Sequence, residues 1–130
     1  MPDSQNLKTI LIVDDDPIQV KLLDGILSNN NFSTLTSTDA AEGLQKAMSQ
    51  YPDLIILDVM MPLMDGIAVL DELRKDTYGK TAKVVLLTNF DLDNETVKKI
   101  VKNKPSLYLI KSNIEPDKLM KKIESLLHND

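Results

Sequence analysis

Apolar residues follow two rhythms that alternate along the chain. Short runs at 8–13 (KTILIV), 53–58 (DLIILD), 83–88 (KVVLLT) and 107–110 (LYLI) are rich in Val, Ile and Leu, and 32–37 (FSTLTS) is a weaker run of β-prone residues. Between them, apolar positions recur three and four residues apart. The first rhythm predicts strands and the second predicts amphipathic helices. Asp16-Pro17 offers an N-cap and a proline at the first helical position. Val20, Leu23, Ile26 and Leu27 supply a buried stripe. Asparagines at 29–31 stop this helix, because asparagine tolerates a left-handed backbone. Asp39 and Glu42 have capping-box spacing ahead of a helix with Ala41, Leu44, Ala47 and Met48 on its inner face. Gly66 opens a helix with Ile67, Leu70 and Leu73 inward. Val97, Ile100 and Val101 share one side of the next. Glu115-Pro116 opens the last, with Leu119, Ile123 and Leu126 inward.

Strands alternating with helices predict an α/β protein of (βα)5 form: a five-stranded parallel sheet with right-handed crossovers and helices on both faces, a doubly wound three-layer sandwich. The almost wholly apolar 53–58 run fits a strand covered on both sides. One domain over 7–128, preceded by a flexible polar tail over 1–6, accounts for the chain, and Met1 with short polar ends favours a free-standing domain. In such folds the site lies beyond the carboxyl ends of the strands, near the point where strand order reverses. The residues expected there are Asp14, Asp15 and Asp16 after the first strand, Asp58 on the third, Thr88 on the fourth and Lys111 after the fifth.

Composition narrows the chemistry. The net charge is −5, which argues against nucleic acid as the main partner. Cysteine is absent and His128 is the single histidine, so thiol nucleophiles, Cys-ligated zinc and multi-His metal sites are excluded. No apolar run approaches the ~20 residues that span a bilayer. No signal-peptide pattern opens the chain, so the cytoplasm is the expected compartment and no membrane partner is expected.

Carboxylates from separate strand ends repel unless something cationic sits among them, and hard oxygen donors suit Mg²⁺. Lys111 adds a fixed positive charge and Thr88 a hydroxyl donor. A carboxylate beside a metal, a lysine and a hydroxyl is equipped to accept a phosphoryl group, and Asp58, ending the central apolar strand, is the nucleophile candidate. Asp16 reads as a cap rather than a ligand. Met60, Met61 and Met64 read as local packing, since thioethers suit soft metals.

From end to end, ILIVDDD, LIILDVMMPLMDG, VVLLT and LYLIK occur in the order found in response-regulator receiver domains, and the sequence resembles that chemotaxis-regulator-like family. The resemblance implies a flavodoxin-like sheet of order 2-1-3-4-5. It also implies a switch of two-component phosphorelays rather than a turnover enzyme, catalysing only its own aspartyl phosphorylation and dephosphorylation. By position, Asp15 would ligate Mg²⁺ directly and Asp14 mostly through water, the Met60 carbonyl would complete the site, and Asp58 would be phosphorylated. Thr88 and Lys111 would hold the phosphoryl oxygens, and Tyr108 would turn inward with Thr88 as the switch. The phosphodonor would be a histidine kinase or histidine phosphotransfer protein. The output would be a partner protein, or a phosphorylation-dependent homodimer, on the face of the fourth helix, fifth strand and fifth helix. That flank is basic (Lys98, Lys99, Lys102, Lys104, Lys118, Lys121, Lys122); its plain reading is a solvated face.

Departures from the family pattern also stand out. Ser112 replaces the proline after Lys111, Asn89 replaces a small residue, and the 104–107 stretch (KPSL) stands where Gly-Ala often precedes the aromatic. Met60 and Phe90 are apolar flanks expected to hinder an attacking water and lengthen the phosphorylated state. Two other functions compete. A phosphate-independent pseudo-receiver would keep the fold without the switch. A haloacid-dehalogenase-type phosphatase shares Asp14-x-Asp16 but lacks the residue expected after it and the later acidic pair.

Overall fold

The computed structural model describes residues 7–61, 64–88, 94–110 and 115–128. Strands β1 (Thr9–Val13), β2 (Ser33–Ser37), β3 (Leu54–Asp58), β4 (Val84–Thr88) and β5 (Leu107–Ile110) alternate with helices α1 (Pro17–Asn29), α2 (Ala40–Gln50), α3 (Gly66–Arg74), α4 (Asn94–Lys102) and α5 (Pro116–His128). All pairings are parallel and the order is β2-β1-β3-β4-β5, as the resemblance implied. Chain order reverses between β1 and β3, which puts the expected crevice at their carboxyl ends.

Successive strand residues point to opposite faces, and each face has its own core. Leu11, Val13, Ile55, Leu57, Val84 and Leu86 pack with Val69, Leu70, Leu73 and Ile100 of α3 and α4. Ile10, Ile12, Leu54, Ile56, Val85 and Leu87 pack with residues of α1 and α5. Every residue of β3 and β4 is buried, which explains why these strands read as continuous apolar runs.

The N-cap of α1 is Asp16, whose side chain accepts from Ile18 N at 3.0 Å, and Asn31 beyond the helix is left-handed at φ 68°. The capping box expected at α2 is only half formed. Asp39 accepts from Glu42 N, but its own amide donates to Ser37 Oγ, while Glu42 lies 3.3 Å from Lys46 Nζ. Ala41, expected inside, is exposed. Ala40 and Gly43 take the inner positions beside Ala47, because the helix starts at Ala40. In α4 only Ile100 of the expected apolar side is buried; Val97 and Val101 are 38% and 66% exposed. In α5, Met120 and Leu127 join Leu119 and Ile123 inside, and Leu126 is only partly buried.

Two left-handed residues were not foreseen, Tyr51 at φ 51° and Lys104 at φ 49°. Tyr51 caps the carboxyl end of α2 and packs edge-on to Tyr78, with ring centroids 5.1 Å apart. Tyr78 Oη donates to Pro52 O at 2.9 Å, tying the α3–β4 connection to the approach to β3. Burial, and then the nearby Asp53 carboxylate, push the Tyr78 phenol up to about 12. The neutral phenol is thus favoured by the fold. Its contribution is fully present below the unfolded value near ~10 and is lost as pH rises through the folded one. Tyr78→Phe is expected to cost roughly 1 kcal/mol at pH 8 by losing the hydrogen bond, and to flatten the alkaline fall in stability. Denaturant melts of both proteins from pH 8 to 12 test this; parallel curves would assign the fall to other groups.

Candidate functional site

The register that pairs Val13 with Leu57 places Asp14 beside Asp58 at the next position. Both carboxylates are buried, at 2% and 5% exposure, whereas Asp15 is exposed. One carboxylate oxygen from each of Asp14, Asp15 and Asp58 lies within 4.8 Å of the others. Backbone contacts hold this arrangement. Asp14 N donates to Ser37 O at 3.1 Å, fixing the end of β1 to the end of β2. Asp14 Oδ1 accepts from Asp16 N at 3.0 Å, so the side chain folds over its own turn. Met60 N donates to Asp58 Oδ1 at 3.4 Å.

The three neighbouring acids of the DDD motif therefore separate by role. Asp14 and Asp15 contribute to the cluster, while Asp16 spends its carboxylate capping α1. Oxygen donors this close, two of them withdrawn from water, fit a hard divalent cation such as Mg²⁺.

Thr88 ends β4 on the neighbouring strand and is fully buried. Tyr108 is half-buried and pairs in register with Leu86, two residues before Thr88. Leu86 and Tyr108 pack with the same core cluster as Ile100 of α4, and alternation places Thr88 on that face too. Met60 is 55% exposed in the loop after Asp58. Lys111, Ser112, Asn89 and Phe90, like the 1–6 tail, lie outside the described residues.

Gly66 and Asp65 are site-building residues whose role the sequence pattern did not show. Gly66 N donates to Val59 O at 2.9 Å, and a Cβ at Gly66 would fall 2.1 Å from Asp58 O. The amino end of α3 therefore seats directly on the end of β3 because residue 66 has no side chain. Asp65 caps the helix, accepting from Ala68 N at 2.9 Å. The Asp-Gly pair was the available signal for both.

Comparisons with known proteins agree with this geometry. The model of the response regulator receiver domain matches residues 10–124. The chain is 32% identical to the chemotaxis protein CheY of Treponema pallidum, over 91% of this chain and 81% of that protein. It is 46% identical over 68 residues to the alkaline phosphatase synthesis transcriptional regulatory protein PhoP of Bacillus subtilis, a match that takes in 52% of this chain and 28% of that relative's length. A CheY-like receiver domain structure from Methanospirillum hungatei superposes with a TM-score of 0.87 at 27% identity, covering 95% of each chain. The chain belongs to the response regulator receiver domain family, the phosphoacceptor modules of two-component signalling. The Asp-x-Asp likeness to haloacid dehalogenases is incidental, since its second aspartate is a helix cap. Among the described residues, no helix is long and apolar enough to cross a membrane.

The seat of α3 yields a prediction. Gly66→Ala must push α3 or the end of β3 aside, at a cost of roughly 1–3 kcal/mol or more. Urea unfolding measures this cost. An unchanged midpoint would show that the contact between Gly66 and Asp58 is not tight.

Proposed function

We propose that this domain accepts a phosphoryl group on Asp58 from the phosphohistidine of a histidine kinase or phosphotransfer protein, and signals by binding another protein. The observation that carries this is the buried Asp58 carboxylate with the Asp14 and Asp15 oxygens within 4.8 Å. An Asp58 oxygen forms the new O–P bond as the P–N bond to the donor imidazole breaks, and the imidazole keeps that electron pair. Mg²⁺ held by Asp14, Asp15, Asp58 and the Met60 carbonyl would supply charge neutralisation for the phosphoryl oxygens. The Met60 amide, 3.4 Å from Asp58 Oδ1, helps orient the nucleophile.

Thr88 and Lys111 are the partners proposed for the phosphoryl oxygens. The shared face of Thr88 and Tyr108 supports a switch in which movement of the hydroxyl frees space for the ring. Tyr108 lines a groove of about 380 Å³ between α4 and β5, with Val97 and Val101 exposed on its wall. That groove supports an output surface on α4, β5 and α5, for a target protein or a second phosphorylated copy. On this reading the domain is a single unit over 7–128 that works in the cytoplasm and catalyses only its own modification.

Intact-mass analysis after incubation with acetyl phosphate and Mg²⁺ tests the proposal. The wild type is expected to gain one phosphoryl group, and Asp58→Asn and metal-free samples none. No gain in the wild type would favour the phosphate-independent pseudo-receiver. The exposed Met60 beside Asp58 leads to a second expectation. Met60→Asn should shorten the phosphorylated lifetime by offering a polar contact to the attacking water, and an unchanged decay rate would sink that role.

A further inference from the structure

Away from Asp58, where α3 and α4 finish, Lys80, Lys102 and Lys104 surround a hollow of about 160 Å³ with Arg74 and Asn103. No carboxylate lines it, in a protein with 20 acidic side chains. Lys46, Lys75, Lys98 and Lys118 each pair with a glutamate three or four residues earlier in the chain. Lys80, Lys102 and Lys104 form no such ion pair among the described residues.

Arg74 anchors the hollow. Its Nε donates to Asn103 O at 2.8 Å, Nη1 to Gly79 O at 2.5 Å and Ala82 O at 2.9 Å, and Nη2 to Lys104 O at 3.0 Å. All these acceptors are neutral carbonyls, so the cation is held rigidly without a counter-charge, and burial pushes its pKa down. A guanidinium has five N–H groups, and these contacts leave one on Nη2. Favourable interaction with the carboxyl end of α4 explains Lys102 and its neighbour Lys99. It does not explain Lys80, which comes from the α3–β4 connection.

We propose that this hollow is a second ligand site, which takes a phosphate-sized anion, free or carried by a small molecule, and is separate from the phosphoacceptor centre. Pockets for whole drug-sized ligands run to ~300–1,000 Å³, so this one suits a single anionic group with the rest of the molecule outside. Arg74 would offer its remaining N–H, and the lysines mobile point charges. Binding would brace the turn between α4 and β5, since Arg74 already grips Asn103 and Lys104 there.

Titration of the full chain carrying Asp58→Asn with inorganic phosphate, without divalent metal and at constant ionic strength, keeps the probe out of the acceptor site. Saturable NMR shifts are expected at amides 79–82 and 102–104 and at Arg74 Nε, with a rise in Tm as phosphate is added. Lys80→Gln/Lys102→Gln/Lys104→Gln is expected to weaken binding about tenfold or more, as the loss of three surface charge contacts allows. Lys118→Gln/Lys121→Gln/Lys122→Gln on α5 removes the same charge and is expected to change it by no more than about twofold. A parallel titration with a nucleoside 5′-monophosphate identifies the source: tighter binding at the same amides points to a nucleotide, equal binding to free phosphate. Shifts that grow linearly without saturation, or an equal loss in the α5 variant, would overturn the site and reduce the effect to net charge.

Discussion

Asp14 and Asp58 leave adjacent parallel strands at the same level, and the layers of helix on either side take both below the surface. Two carboxylates so placed repel each other in a medium that screens poorly. The fold holds them there with short-range backbone contacts. The Ser37 carbonyl fixes the end of β1, the Asp16 amide turns the Asp14 side chain, and the bare α-carbon of Gly66 lets α3 close on Asp58. A demand for positive charge is thus built into a rigid frame, and a divalent cation or a lysine is the natural complement.

This logic was largely readable in the linear sequence, because parallel sheets buried on both faces write themselves as apolar runs. Such runs end where the site begins. Five strands, five helices and the acids at the ends of β1 and β3 followed from period and position alone. Sheet order did not, since it depends on which crossover goes which way, and it came from family resemblance. The misplaced details all concern how a helix sits against its surroundings. Ala41 rotates outward because α2 begins at Ala40. Val101 stays in solvent because α4 covers the β5 edge of the sheet with only one neighbouring helix on its face. Glu42, expected to complete a capping box, faces Lys46 one turn later instead. Gly66 was visible as a helix start but not as a contact, because an approach of backbone to backbone leaves no periodic trace.

The two ends of the molecule are built on opposite principles. At the carboxyl ends of the strands, carboxylates crowd together around a space for a cation. Where α3 and α4 finish, one arginine gathers the carbonyls of two separate connections, and lysines stand around it. Arg74 crosslinks the α3–β4 connection to the α4–β5 turn through four hydrogen bonds, so the carboxyl end of α4 is its tethered end. Any rearrangement that follows a change at Thr88 would then swing the amino end of α4 about that anchor.

The N-caps have a consequence for kinetics. Each of α1, α2 and α3 is capped by an aspartate, Asp16, Asp39 and Asp65, and in this winding every helix starts on the site side of the sheet. Their charges add to those of Asp14, Asp15 and Asp58, more than offsetting the partial positive charge at the helix starts. On the proposed function, encounter with a phosphodonor would therefore begin in a negative field. Added salt should speed loading from a small anionic donor and slow loading from a protein whose docking face is cationic, so the ionic-strength slope of the rate reveals which sign of surface the domain is built to meet.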